Sequence, residues 1–263
     1  MTVALRFALR SPDAGAGAAA TVLVALVPAL VAVAGTAVHG IEVGGLWPFA
    51  LAGLLAPGGS QILFTLAVRE AGPSRASVAA GAAPLVAVTI ALLFLHEPLR
   101  VPLVLGAILI VGGGLALVTE RSRPEHVRLI GLAYAVATTV LFASRDNLVR
   151  HLALRTPVRP EAAVATTMLT GALVALAYAR RLPTRRELRA FAPAGLCFGL
   201  SYVALFEAYY RGRVSVVSPL VATESLWGVT LSALLVRHEG VGRRVVAGAV
   251  LIVGGGTLIG AFR

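Results

Sequence analysis

The chain has 263 residues, is 58% hydrophobic and only 13% charged, about half the charged share of a soluble domain, and its mean hydropathy is +0.87. Apolar runs of about twenty residues recur from end to end, the length a helix needs to cross a bilayer, which excludes a soluble fold and a barrel and marks an all-α, multi-pass membrane protein. The net charge is +11 with Arg as every basic chain residue; these arginines sit between apolar runs, where anionic headgroups meet them, so the partner they imply is the lipid bilayer and not nucleic acid.

In chain order, residues 1–15 read as a short polar lead with Arg6 and Arg10, followed by a first span at about 16–38. The second span, about 46–68, is interrupted by Pro57-Gly58-Gly59, a break tolerated where neighbours satisfy the freed backbone groups. Arg69 to Arg75 predict a tight turn. Spans follow at about 76–95, with Pro84 inside, and 101–119, with His96-Glu97-Pro98-Leu99-Arg100 between them. A polar link, 120–128, divides the chain. Beyond it spans are expected at about 129–146, 161–179, 190–210, 214–236 and 244–262, nine in all. The loop with Arg180, Arg181, Arg185, Arg186 and Arg189 is the most basic. The single Cys197 excludes an intramolecular disulfide and any Cys-rich metal site. Its GLCFG context imitates a nucleophile elbow, but small-residue filler is the plainer role.

One stretch occurs twice. Residues 106–114, GAILIVGGG, match 248–256, GAVLIVGGG, at a separation of 142 residues. The same register pairs Ala91-Leu92-Leu93 with Ala233-Leu234-Leu235, His96-Glu97 with His238-Glu239, Leu63-Phe64 with Leu205-Phe206 and Arg69 with Arg211. The chain therefore reads as two copies of one design, 1–119 and 129–263, joined by the linker. ALRSP at 8–12 answers ALRTP at 153–157. The fifth span then has no partner in the first copy, and an apolar helix is expected upstream of Met1.

The two C-terminal portions, ALLFLHEPL (91–99) before GAILIVGGG and LWGVTLSALLVRHEGV (226–241) before GAVLIVGGG, resemble the EamA-type family of the drug/metabolite transporter superfamily. The second copy departs from the family pattern at Gly240, where Pro is absent. The resemblance covers nearly the whole chain. It implies two inverted helical repeats, ten helices in the family, and transport of small solutes by alternating access.

Glu224 is the most informative single residue. Placed about ten residues into the eighth span, its carboxylate costs on the order of 2.5–3.5 kcal/mol to insert and should face the bundle interior, as a proton carrier or a counter-charge for solute; a structural ion pair is the bland reading. Thr223 and Ser225 flank it, and Trp227 lies one turn on as a cavity-lining candidate. Glu207, four residues before Arg211, predicts an ion pair first and a binding role second. Tyr209 and Tyr210 read as interfacial belt residues. Arg145, Asp146 and Asn147, at the expected end of the fifth span, predict a self-satisfying charged end, with a gate as the sharper reading. Glu97 and Glu239 read as turn structure, far from metal-ligand spacing, and nothing calls for a metal or cofactor.

The leading expectation is a secondary transporter, an exporter or permease of small metabolites or drug-like solutes in the plasma or inner membrane, coupled to protons; it is not an enzyme, and its design admits a homodimer. No GxxxxGK[ST] sequence supplies an ATPase. The alternatives are a lipid-linked flippase or non-transporting subunit, and an intramembrane enzyme acting on lipid. For orientation, alternate loops hold fifteen arginines, Arg75 among them, against eight that include Arg145. The positive-inside rule then makes Arg6 and the 180–189 loop cytoplasmic for the chain as it stands. An added upstream helix would instead follow the family arrangement, with Arg263 cytoplasmic.

Overall fold

A computed structural model describes all residues except 9–12, 37–42, 96–100, 119–127, 215–216, 219–220, 222–223, 236–241 and 262–263. The described residues are mostly helical, without strands: α1 (Thr2–Ala8), α2 (Ala14–Thr36), a 3-10 turn (Val43–Gly45), α3 (Trp47–Gly53), a π-type turn (Leu54–Gly59), α4 (Ser60–Ala71), α5 (Pro73–Ala80), α6 (Ala83–Leu95), α7 (Val101–Val118), α8 (Leu129–Ala153), α9 (Pro160–Ala179), α10 (Arg185–Arg211), α11 (Glu224–Leu235) and α12 (Arg243–Ala261). Six helical segments among them are long and apolar enough to cross a membrane: 14–36, 47–71, 129–153, 160–179, 185–211 and 243–261.

Helix starts follow local chemistry. Asp13 caps α2, its Oδ1 accepting the Ala16 N–H at 3.0 Å. Thr184 and Glu187 form a reciprocal capping box at α10. Proline opens α5 and α9, where its missing N–H costs nothing. Arg180, in left-handed conformation at φ 54°, closes α9.

Several expected boundaries move. The lead 1–15 contains helix α1, with Val3 and Leu5 buried. The expected span at 76–95 is two helices, α5 and α6, parted at Gly81-Ala82, with Pro84 in the first turn of α6. The fifth span runs seven residues past its expected end, to Ala153. The helix continues because Val149 and Leu152 bury their side chains on the far side of the charges. Arg145–Asn147 are therefore interior to α8. Arg75 is not in a turn: it lies in α5 and is fully buried. Arg145 is buried too. Neither belongs in a tally of headgroup-facing loop arginines.

The chain forms two compact units, and each draws on both sequence copies. Unit 1 comprises essentially residues 3–65 and 148–212; unit 2 comprises 66–147 and 213–263. In unit 1, α2 packs along α9 and α10, and α3 with the π-type turn packs on α9. The small-residue stretch Ala14–Ala20 is buried, and Gly17 leaves room for the Phe191 ring, which a Cβ would meet at 2.7 Å. Gly53 and Gly195, a repeat-related pair, each press on a backbone carbonyl, those of Thr167 and Thr21. Such close backbone approach is how helices gain contact where lipid offers no hydrophobic drive.

In unit 2 the main crossing is α7 on α12. A Cβ at Gly113 would stand 2.7 Å from the Gly248 carbonyl oxygen, and one at Gly248 2.9 Å from that of Gly113. Gly106 and Gly255 repeat the arrangement at 2.6 and 2.5 Å. Numbering rises along one helix as it falls along the other, so the two run antiparallel. Because Gly106 corresponds to Gly248 and Gly113 to Gly255, the contact is reciprocal, as at a two-fold axis. The flanking Ile110 and Ile252 correspond as well, each lying against a glycine of the other helix.

Candidate functional site

In unit 2, polar groups gather on α5, α8 and α11. Arg75 is the largest fully buried side chain, with Ser74 and Ser77 buried beside it in sequence. Ser77 packs against Gly228 of α11, where any side chain would strike its hydroxyl. On α8, the Thr139 hydroxyl is shared between the Ala135 carbonyl of its own helix at 2.8 Å and the Ala79 carbonyl, at the end of α5, at 3.1 Å. One to two turns on, Arg145 Nε meets Asp146 Oδ1 at 2.7 Å with both side chains buried, and the guanidinium lies 5.7 Å over the Phe142 ring. Asn147 Nδ2 donates to the Ala143 carbonyl at 2.9 Å and reaches that of Ala87 at 3.5 Å. The charged triplet is thus a mid-helix cluster held within unit 2. A buried pair of this kind nearly cancels its own charge; removing one partner would cost about 3–5 kcal/mol.

Glu224 is the first residue of α11 and is exposed; Trp227, one turn on, is 66% exposed. Thr223 lies outside the described residues, as do the two His-Glu elements, and so does the side chain of Ser225. The described helices α6 and α11 begin at Ala83 and Glu224. In the repeat register Glu224 answers Ala82.

Unit 1 holds the second polar region. Before the break, the Thr167 hydroxyl of α9 donates to the Phe49 carbonyl at 3.1 Å. At the break, Ala56 leaves the helix at φ −147°, ψ 122°, and the Ala56–Pro57 bond is cis. Gly171 of α9 lies against the Pro57 ring. After it, Ser60, Gln61 and Thr65 are fully buried. Thr65 Oγ1 donates to the Gln61 carbonyl at 2.7 Å, and Gln61 Nε2 reaches Thr65 Oγ1 at 3.5 Å. Gln61 Oε1 is buried without a hydrogen-bond donor.

At the far end of α10, the ion pair expected from spacing forms: Arg211 Nη2 to Glu207 Oε2, 2.7 Å. Arg150 Nη1 donates to the carbonyls of Tyr209 and Tyr210 at 2.8 and 3.2 Å, neutralising the negative end of α10. Tyr209 is fully buried and so is no belt residue. Glu161, at the start of α9, lies 3.9 Å from Arg159.

At the other end of unit 1, Arg181 forks between two carboxylates: Nη2 lies 2.8 Å from Asp13 Oδ2 and 2.6 Å from Glu187 Oε1. Each carboxylate also caps a helix, so one guanidinium ties the starts of α2 and α10 to the end of α9. The Ala16 N–H, helped by the guanidinium, holds the Asp13 carboxyl below its ordinary range, against a smaller opposing effect of burial. Hydrogen bonds to Glu187 and Asp13 raise the Arg181 value.

Sequence reasoning missed Arg75 and Gln61. Pro73 after Gly72 is a helix-start signal as well as a turn signal, and it could have placed Arg75 inside a helix. Gln61 stands one turn after Pro57 and is the only amide side chain in 47–71, a signal that attention to charge passes over.

The sequence model of the EamA-like transporter family matches residues 1–119 and 129–261. A search of curated proteins finds no match. A solved crystal structure of a protein superposes on 98% of this chain and 91% of its own at TM-score 0.69 and 22% identity, a likeness of fold alone.

Proposed function

The chain belongs to the EamA-like transporter family, and on that premise we propose that it is a secondary transporter of small metabolites or drug-like solutes, acting by alternating access in the cell membrane, with two copies inserted in opposite senses. The observation that carries the reading is the crossing of α7 and α12, in which the two copies meet through corresponding glycines running antiparallel. The antiparallel, reciprocal crossing of α7 and α12 supports the opposite insertion of the copies.

In this reading Glu224 carries the coupling proton or faces a cationic solute group, with Trp227, Thr223 and Ser225 beside it. Its side chain is exposed, whereas the cost of insertion predicts that it faces the bundle interior. Glu207 is a further candidate for binding solute or proton, and Arg145, Asp146 and Asn147 act as a gate. Purified protein in vesicles, screened for solute flux with a pH gradient on and off, tests the proposal. Glu224→Gln is expected to abolish the pH-driven component while the protein stays in the membrane. Normal pH-driven flux in that variant would remove Glu224 from the mechanism. Lipid turnover or lipid movement without solute flux would replace the reading altogether.

A further inference from the structure

The turn from α9 to α10 holds more arginine than its carboxylates neutralise. Five arginines fall within ten residues, at 180, 181, 185, 186 and 189. The two carboxylates beside them, Asp13 and Glu187, are both taken by Arg181 and by the caps of α2 and α10. The guanidinium groups of Arg180, Arg185, Arg186 and Arg189 are exposed and have no partner among the described residues. At the opposite end of unit 1, Arg150, Arg159 and Arg211 each meet a protein acceptor. Five arginines less two carboxylates leave three positive charges at this end. The surplus heads a lipid-facing stripe. Arg185, Arg186, Arg189, Pro193, Leu196 and Leu200 share an arc of roughly 100° at about 3.6 residues per turn. All six are exposed, while Phe191, Ala194, Gly195 and Phe198 are buried on the other side of α10, where α2 packs. From Arg189 to Leu200 the helix rises about 16 Å, roughly half of a 30 Å hydrocarbon core. Tyr178, exposed in the last turn of α9, marks the headgroup level, as interfacial aromatics do. A phosphate at the arginines and one acyl chain below them fit the stripe from end to end. Arg189 is spaced i,i+4 from Arg185 and i,i+3 from Arg186, about 5–6 Å between Cβ atoms, so their forks reach neighbouring phosphates. A phosphodiester carries one negative charge. A lipid with one phosphate would leave two of the three charges uncompensated, and a headgroup with two phosphates leaves one.

We propose that α10 seats one phospholipid whose headgroup carries two phosphates, held by Arg185, Arg186 and Arg189, with an acyl chain along Pro193, Leu196 and Leu200. The seat lies within unit 1 and uses neither Glu224 nor solute flux. It is tested by binding alone, so its failure leaves the transport reading intact, and a failure of transport leaves the seat intact.

The test is the melting of the full-length purified chain in mild detergent, beside native mass spectrometry of retained lipid. Four additions are compared: cardiolipin, phosphatidylglycerol at twice the molar amount, phosphatidylcholine, and inorganic pyrophosphate. Cardiolipin at about tenfold over its Kd is expected to raise the melting temperature by about 3 °C over phosphatidylcholine, with one molecule retained per chain. Phosphatidylglycerol, at equal charge, should give at most about half that shift. Pyrophosphate, which has no acyl chain, should give none. Arg185→Gln, Arg186→Gln and Arg189→Gln together should retain no cardiolipin and show no shift. Arg185→Lys, Arg186→Lys and Arg189→Lys together keep the charge that orients the loop but lose the planar fork, and should need roughly tenfold more cardiolipin. This second variant decides the matter if the uncharged one does not insert. An equal shift from phosphatidylglycerol would mean a diffuse charged surface, and an equal shift from pyrophosphate a free-anion site; either overturns the proposal. So would no cardiolipin shift in the wild type, a shift that survives in the uncharged variant, or unchanged cardiolipin affinity in the lysine variant.

Discussion

In unit 2 the two sequence copies meet through like residues: glycines 106 and 113 of α7 lie against Gly255 and Gly248 of α12, each against the counterpart of the other. In unit 1 the same register relates a broken segment to an intact one. Ala56-Pro57 and Ser60-Gln61 on one side answer Phe198-Gly199 and Tyr202-Val203 on the other. The difference separates two demands on a duplicated chain. A backbone-to-backbone crossing admits only glycine on both sides, so the copies stay alike there. Where a helix carries polar groups, the copies can differ: the neighbouring α9 makes room for Pro57 with Gly171, whereas in the other copy Gly199, which stands on α10 where Pro57 stands in the first, lets α10 close on Ala25 of α2.

The sharpest way to break the comparison is within the Gly triplets. Gly113→Val and Gly255→Val should each prevent the α7–α12 crossing, costing about 3 kcal/mol or more by forced separation of the backbones. Retained folded yield of either variant after extraction in mild detergent would refute the reciprocal contact. Gly112→Ala and Gly254→Ala, with nothing within 4 Å of the added Cβ, should instead be neutral or stabilise by up to about 1 kcal/mol through helix propensity. In unit 1 an intermediate effect is expected: Gly171→Ala would push on Pro57, at 2.7 Å from its Cδ, and should lower stability by about 1–3 kcal/mol. Thermal melts of Gly171→Ala and Gly199→Ala side by side show whether the broken and unbroken copies are equally intolerant. Smaller still are Thr167→Val and Thr139→Val, each removing one hydroxyl-to-carbonyl bond at the end of a helical segment, one per unit. About 1 kcal/mol is expected for each. A large inequality between them would show that one of the two interruptions depends on its threonine far more than the other.

The smallest effect concerns the Arg181 fork. The folded-state Asp13 value is depressed, so its contribution is present above the ordinary carboxylate value of about 3.9 and disappears as pH falls through the folded value. Wild-type stability should therefore decline below about pH 4 more steeply than that of Asp13→Asn, which lacks the contribution at neutral pH already. Solvent and salt screen this fork, since both Asp13 and Arg181 side chains are 40% exposed. Parallel pH profiles for the two proteins would show that Asp13 has no part in it.

Much of the fold was legible because apolar length is a strong signal: α2, α9, α10 and α12 lie close to their expected spans. The errors have one cause. Hydropathy marks where charge begins, whereas a helix ends only where its backbone bonds end. Arg145 and Asp146 cancel each other inside α8, so the helix passes straight through them. Arg75 is a charge inside a helix that opens on Pro73, so a turn was expected where a buried helix stands. Removing both arginines from the loop sets leaves fourteen against seven, arithmetic from fifteen and eight that keeps the excess but discards the premise that each counted arginine meets a headgroup. Of the candidate site residues, Glu207 was readable as an ion pair because i,i+4 geometry is local. The exposure of Glu224 was not, because it depends on how its helix packs against its neighbours. The seven-residue spacing of Gly106 and Gly113, two helical turns, did carry the crossing face in the sequence, repeated at Gly248 and Gly255.

The α7–α12 crossing has a consequence for synthesis. Its two sides are made far apart in time: when Gly113 leaves the ribosome, some 135 residues remain before Gly248 follows, roughly 7–30 s at ordinary elongation rates. Through that interval the glycine face of α7 must wait in the nascent membrane without its partner, held by lipid or by an insertion factor. Unit 2 therefore completes its main contact only when the last helix has been delivered, and a ribosome that stops before Arg243 leaves behind a chain whose closest-packing surface is bare.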